Sequence, residues 1–147
     1  MIVAFDIETG GLDKENHSIL EIGAVAYDEE SGATAGEVQC FLDHDVICGS
    51  AYALSMHSRI FEALKNDKGV RPWEAMQQFV DWTQSFGPKP TALGFNVGAF
   101  DLQWRIADIK FANLFHHRAI EVGTMVMAAQ NKDLPVGSDE AVRSVLG

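Results

Sequence analysis

Phe5-Asp6-Ile7-Glu8-Thr9-Gly10-Gly11-Leu12 is the stretch from which the rest of the chain is read. It continues an apolar run from Ile2, which predicts a buried strand, and its two acids alternate along that strand and so point to the same side. Two carboxylates facing together repel unless something holds them. A divalent cation does so, because Mg²⁺ prefers hard oxygen ligands and is commonly bound by one or two carboxylates plus phosphate oxygens. The plainer alternative is a solvent-facing strand that runs into a glycine turn.

Outward from this stretch, Ile2 to Asp6, Leu20 to Tyr27 and Val38 to Leu42 are strand-like and separated by polar, turn-rich segments, which predicts a three-stranded meander. Helical spacing then takes over. Ile60, Phe61 and Leu64 form one stripe, and Trp73, Met76, Phe79 and Val80 form another behind Pro72, a residue suited to a first helical position. Gly87-Pro88 ends that second helix. Thr91 to Phe95 reads as a buried strand, and Phe100, Trp104, Ala107 and Phe111 recur at helical spacing from Ala99, predicting a helix there. Arg118 to Val122 is a last short strand, Thr124 to Gln130 a helix, and Ser138 an N-cap before the early acids Asp139 and Glu140. Strands first, then strands alternating with helices, imply a mixed sheet covered by helices.

The 147 residues are 47% hydrophobic, enough for one domain with its own core and too few for two ordinary ones, so residues 1–147 are expected to form a single unit. No apolar run is long enough for a membrane span, and no basic segment with a signal-like stretch opens the chain, so a cytoplasmic protein is expected, or one of the host-cell cytoplasm if viral. Cys40 and Cys48 match no zinc or redox spacing and are expected as reduced thiols. The net charge of −10 is lopsided: residues 1–45 hold eleven acids and only Lys14 as a base, while the rest is balanced. Such a surface argues against a protein that coats duplexes through many phosphate contacts. A nuclease that grips a strand end through metal ions tolerates it, since bound ions reverse the local field.

FDIETGGLD resembles the first motif of the DEDD 3'-to-5' exonucleases, the group that includes polymerase proofreading domains and oligoribonucleases. Gly94-Phe95-Asn96-Val97-Gly98-Ala99-Phe100-Asp101 is similar to their second motif, whose acid supplies a third carboxylate. The plainer reading of Asp101 is a helix-surface pair with Arg105 four residues on. Phe115 to Thr124 resembles the architectural segment that follows the second motif in oligoribonucleases, so the likeness covers residues 2 to 130.

The resemblance implies a ribonuclease H-like α/β fold with a five-stranded mixed sheet flanked by helices, and Asp6, Glu8 and Asp101 gathered at its centre as catalytic and metal-binding residues. It implies two Mg²⁺ or Mn²⁺ ions, one activating a water and the other stabilising the departing 3' oxygen. Asp6 would bridge the ions, Glu8 would hold the nucleophile-side ion and Asp101 mainly the second. Leu12 would wedge against the terminal base, and Thr9 and Asn96 would line the same cleft. The partners implied are 3' ends of single-stranded DNA or RNA, with short oligonucleotides favoured by the acidic surface.

The family's third motif, a C-terminal helix bearing a His or Tyr base and a fourth acid, is not found. Leu134 to Gly147 resembles the segment just before it, so the expected fold lacks that last helix. His116 with Glu121 reproduces the family's spacing of histidine and acid but falls in a segment expected to pack, and Asp139 with Glu140 reads more simply as first-turn acids. His17, His44 and His57 show no ligand spacing and read as surface or core residues. Three expectations follow: an active exonuclease, completed by a substitute acid, by a homo-oligomer or by a partner subunit; a nuclease-like binding module that cuts nothing; or a fragment of a longer enzyme.

Overall fold

The computed structural model describes residues 1–146. In chain order its strands and helices are β1 Ile2–Thr9, β2 Ile19–Tyr27, β3 Thr34–Leu42, α1 Ala51–Ser55, α2 Ser58–Lys65, β4 Gly69–Val70, α3 Pro72–Gln84, β5 Thr91–Gly94, β6 Arg105–Ile106, β7 Ile109–Lys110, β8 Ile120–Glu121, α4 Val122–Ala129 and α5 Ser138–Leu146. The main sheet runs β4-β3-β2-β1-β5-β8. β1, β2 and β3 are the antiparallel meander the sequence predicts, and β4, β5 and β8 join in parallel. The sheet thus has one strand more than the five expected, because the two-residue β4 pairs with the end of β3.

Alternation along β1 sorts its side chains. Val3, Phe5 and Ile7 are at most 5% exposed and face the core, where Phe5 stacks on Phe79 of α3 and packs against Phe111 and Phe115. Burying such an aromatic side chain contributes about 1.5–3 kcal/mol. α3 begins at Pro72, as predicted, and Glu74 accepts a hydrogen bond from the Arg71 amide in the manner of a capping box. α5 starts at Ser138 with Asp139 and Glu140 in its first turn, and Glu140 pairs with Lys132. Cys40 is buried, Cys48 is exposed and both are free. No helix among the described residues is long and apolar enough to cross a membrane.

The helix expected from Ala99 to Phe111 does not form. A 3-10 turn at Asp101–Gln103 leads into the small β6-β7 hairpin and then a second 3-10 turn at Phe111–Leu114. Ala107 sits at φ 51, outside right-handed helix, and the amide of Phe111 donates back to the carbonyl of Trp104 at 3.1 Å. Trp104 and Phe111 of the expected stripe are buried all the same, while Ile106 is buried and its neighbour Ala107 of the stripe is exposed.

Candidate active site

The opposite face of β1 carries the acids. Strand register sets them in rows across the meander: Glu8 lies opposite Glu21 and Glu21 opposite Phe41; Asp6 lies opposite Gly23, and Gly23 opposite Gln39. Directly opposed side chains have Cβ atoms about 4.5–5.5 Å apart, so Glu8 and Glu21 are immediate neighbours. Beside these rows a groove of about 940 Å³ runs along the outer sheet face from Asp6, past Ala4, Val25 and Leu93, to Val142 of α5.

Asp101 reaches this strand by replacing a missing ladder partner. β5 pairs with β1 only as far as Ala4 opposite Leu93. Farther along, the amide of Ile7, which lies between the two acids of the motif, donates to Asp101 Oδ1 at 3.0 Å. The turn that carries Asp101 there is set by Asn96 at φ 53, with the Phe100 amide donating to the Asn96 carbonyl at 2.9 Å. Asp101 is 3% exposed and forms no ion pair with Arg105, which pairs with Glu15 at 3.1 Å; the surface-pair reading of Asp101 is thereby overturned.

Electrostatics follow from this crowding. Burial, helped by the charge of Asp6 and then of Glu121, pushes the Asp101 carboxyl up to about 7 against the opposing Ile7 hydrogen bond. Asp6 is pushed up to about 6, first by desolvation and then by the charges of Glu8 and Glu21, although solvent reaches its side chain. Both shifts mark places where a cation would relieve desolvated negative charge.

A second loop is tied to the motif by two glycines. A Cβ on Gly10 would stand 2.4 Å from the Cys48 carbonyl oxygen, and one on Gly49 would stand 2.4 Å from that of Gly10. The close approach lets the Ser50 amide donate to Gly10 and the Ser18 amide to Cys48, both at 2.8 Å. This docks α1 against the motif and delivers His57, whose Nε2 lies 3.1 Å from the Thr9 carbonyl and whose Nδ1 lies 3.7 Å from Glu8 Oε2. His57, read from sequence as an ordinary surface or core residue, is therefore part of the site. No ligand spacing exposed it; only the glycine contact does.

The remaining expected residues are placed as follows. Thr9 is 8% exposed and its hydroxyl donates to the Gly11 carbonyl at 2.7 Å, so it braces the turn. Leu12 is 85% exposed. Asn96 lines a smaller pocket of about 540 Å³ together with Glu121, Thr124 and Ser138. Glu121 accepts the Gly98 amide at 3.0 Å, fastening the turn before Asp101, whereas His116 accepts the Arg118 amide and is not joined to it. Among the described residues, no three Asp, Glu, His or Cys side chains converge as a ready-made metal cage. A Mg²⁺ set of one or two carboxylates completed by waters and phosphate oxygens is a smaller demand, and Asp6 with Asp101 suits it by chemistry and by charge.

No protein-family model matches the chain, and no curated protein does. Solved structures do. Exonuclease I in complex with SSB-Ct aligns with TM-score 0.64 and 17% identity over 94% of this chain and 32% of that one. A moderately thermophilic exonuclease I from Methylocaldum szegediense aligns with TM-score 0.56 and 20% identity over 68% of this chain and 21% of its own. E. coli exonuclease I in complex with a 5cy-dA13 oligonucleotide gives TM-score 0.55 and 19% identity over the same shares, 68% and 21%. This chain therefore spans between a fifth and a third of the length of those structures. Together with the mixed sheet, these likenesses show that this chain shares the α/β fold of those exonuclease I structures.

Proposed function

We propose that this chain is a metal-dependent 3'-to-5' exonuclease acting on 3' ends of single-stranded DNA or short oligonucleotides. The observation that carries the reading is the bond from the Ile7 amide to Asp101 Oδ1 at 3.0 Å, which sets a third, buried acid against the strand between Asp6 and Glu8. Asp6 and Glu8 on β1 and Asp101 from a distant segment flank the same stretch of the central strand, beside an open outer sheet face.

Asp6 and Asp101 are the side chains that would hold Mg²⁺ or Mn²⁺. When bound, such an ion would neutralise the phosphate and make water a better nucleophile. The chain's own groups do the rest. Glu8, with His57 3.7 Å away, stands where it can orient a water or an ion. Leu12 and, on the loop docked through Gly10, Tyr52 at 77% exposure offer apolar surface on which terminal bases can pack. Glu121 and Thr9 keep the two acid-bearing segments in place.

A nuclease-like binding module is the second reading, favoured by the pairing of Glu8 with His57 at 3.7 Å and by the lack, among the described residues, of three converging Asp, Glu, His or Cys side chains. Incubation of 5'-labelled single-stranded DNA and RNA oligonucleotides with chelator, Mg²⁺ or Mn²⁺, beside Asp6→Ala, separates the two. A metal-dependent ladder shortening from the 3' end, absent in the variant, is the expected result. Binding without any ladder, from folded protein with either metal, rules out the exonuclease and leaves the module.

A further inference from the structure

We propose that Arg59 is a substrate-binding residue, a guanidinium held over the acidic end of the sheet by buried Glu21 so that it takes a phosphodiester of the bound single strand. The inference rests on the exonuclease reading for the identity of the strand. It starts from register: Glu8, Glu21 and Phe41 lie in one row across β1, β2 and β3, and Arg59 spans the last two. Its Nη2 donates to Glu21 Oε2 at 2.5 Å, and its guanidinium carbon lies 5.4 Å from the centre of the Phe41 ring. Two contacts, a charge-assisted bond and a ring face, fix the head group of an otherwise flexible side chain.

A cation that merely neutralised Glu21 would be expected to pair through both nitrogens of its fork and to be buried with its partner. Neither holds. Glu21 Oε1 accepts from Gln39 Nε2 at 2.5 Å, and Arg59 meets the carboxylate only through Nη2 on Oε2. The Glu21 side chain is 8% exposed while that of Arg59 is 63% exposed. Among the described residues the guanidinium makes no other hydrogen bond, so its remaining N–H groups are left for a ligand. Arginine presents five donors in a planar fork that matches a phosphate, so one edge held by a carboxylate leaves another for a ligand.

Location supplies the ligand. The face beside Asp6, Glu8 and Glu21 is the one a scissile phosphate must approach, and these carboxylates repel it. Two other arginines are each already paired with an acid of their own, Arg105 with Glu15 and Arg71 with Asp45. Arg59 of α2 reaches the row through Phe41 and through Glu21, the strand partner of Glu8. It therefore offers a strand the positive contact that the acids deny it, next to the reacting end.

The test is equilibrium binding of a 5'-fluorescent single-stranded oligonucleotide to the whole chain, with Ca²⁺ and again with chelator, across a monovalent salt series. R59Q is expected to bind on the order of tenfold more weakly at low salt and to lower the slope of log affinity against log salt by about 0.7, the value for one phosphate contact on a single strand. R59K keeps the slope, since it keeps the charge, but loses several-fold in affinity with the fork. Because R59Q leaves Glu21 buried without its cation, E21Q/R59Q is measured beside it, and both must show the reduced slope. Folded R59Q and double variants with unchanged affinity and slope would overturn the proposal and leave Arg59 as a counter-charge alone. A wild type that binds no strand overturns it as well. A wild type that binds and loses slope in R59Q but never cuts sustains the phosphate contact while ending the exonuclease reading.

Discussion

Asp101 is the residue on which the account turns, and its position is only half legible from the sequence. The glycine and asparagine pattern before it marks a strand-to-turn passage, but that its carboxylate takes the amide of Ile7 depends on β5 stopping short beside β1. Its charge state has a consequence for stability. Asp6 and Asp101 hold their protons up to about 6 and about 7, against 3.8 for the ordinary carboxyl, so between these values the folded chain binds more protons than the unfolded one. Their contribution is therefore complete at pH below about 4 and is lost as pH rises toward 7. Metal-free protein melted in chelator is expected to lose thermal stability across that window, and Asp101→Asn is expected to flatten the loss and melt higher at pH 8. Parallel melting curves for the two proteins would show that Asp101 is not a desolvated carboxyl. Glu21, Arg59 and His57 were invisible as site residues because nothing local distinguishes them; strand register and the docked loop bring them beside the motif.

Among the elements, β1 to β3 follow directly from alternation, because each has one face in the core and one outside. The segment from Ala99 to Phe111 does not. Its aromatic spacing satisfies a helix and a hairpin alike, and the backbone at Ala107 decides for the hairpin. α1 was missed for a related reason: it spans five residues, buries none of them, and is held by the Ser50 cap and by the contact between Gly10 and Gly49. That contact is a specific prediction. In Gly49→Ala a methyl group would meet the Gly10 carbonyl at 2.4 Å, so the loop must withdraw. A stability loss of about 1–3 kcal/mol, the usual cost of overpacking, is expected in urea unfolding, together with weaker turnover as His57 and Tyr52 shift. A variant with unchanged midpoint and unchanged turnover would mean that the loop is not clamped to the motif.

At the scale of the whole molecule, an uneven charge and an open sheet face combine. The N-terminal third supplies most of the sheet, all of the excess acid and two of the three proposed catalytic residues, Asp6 and Glu8. Such a molecule suits a substrate held at its end by a few contacts rather than one wrapped along a basic surface. The architecture was legible because strands precede helices and because the first motif ends its strand in a glycine turn; β8 falls within the Arg118–Val122 strand read from the sequence, whereas the two-residue β4 was set by pairing rather than by any pattern of its own. The central claim is that these acids cut a strand from its 3' end, and the most direct measurement is the chemical identity of what is released. Mass spectrometry of a single-stranded oligonucleotide digested with Mn²⁺ is expected to show nucleoside 5'-monophosphates accumulating one at a time with wild type, and none with Asp101→Asn. Intact oligonucleotide with folded wild type, or the same products from Asp101→Asn, would contradict it.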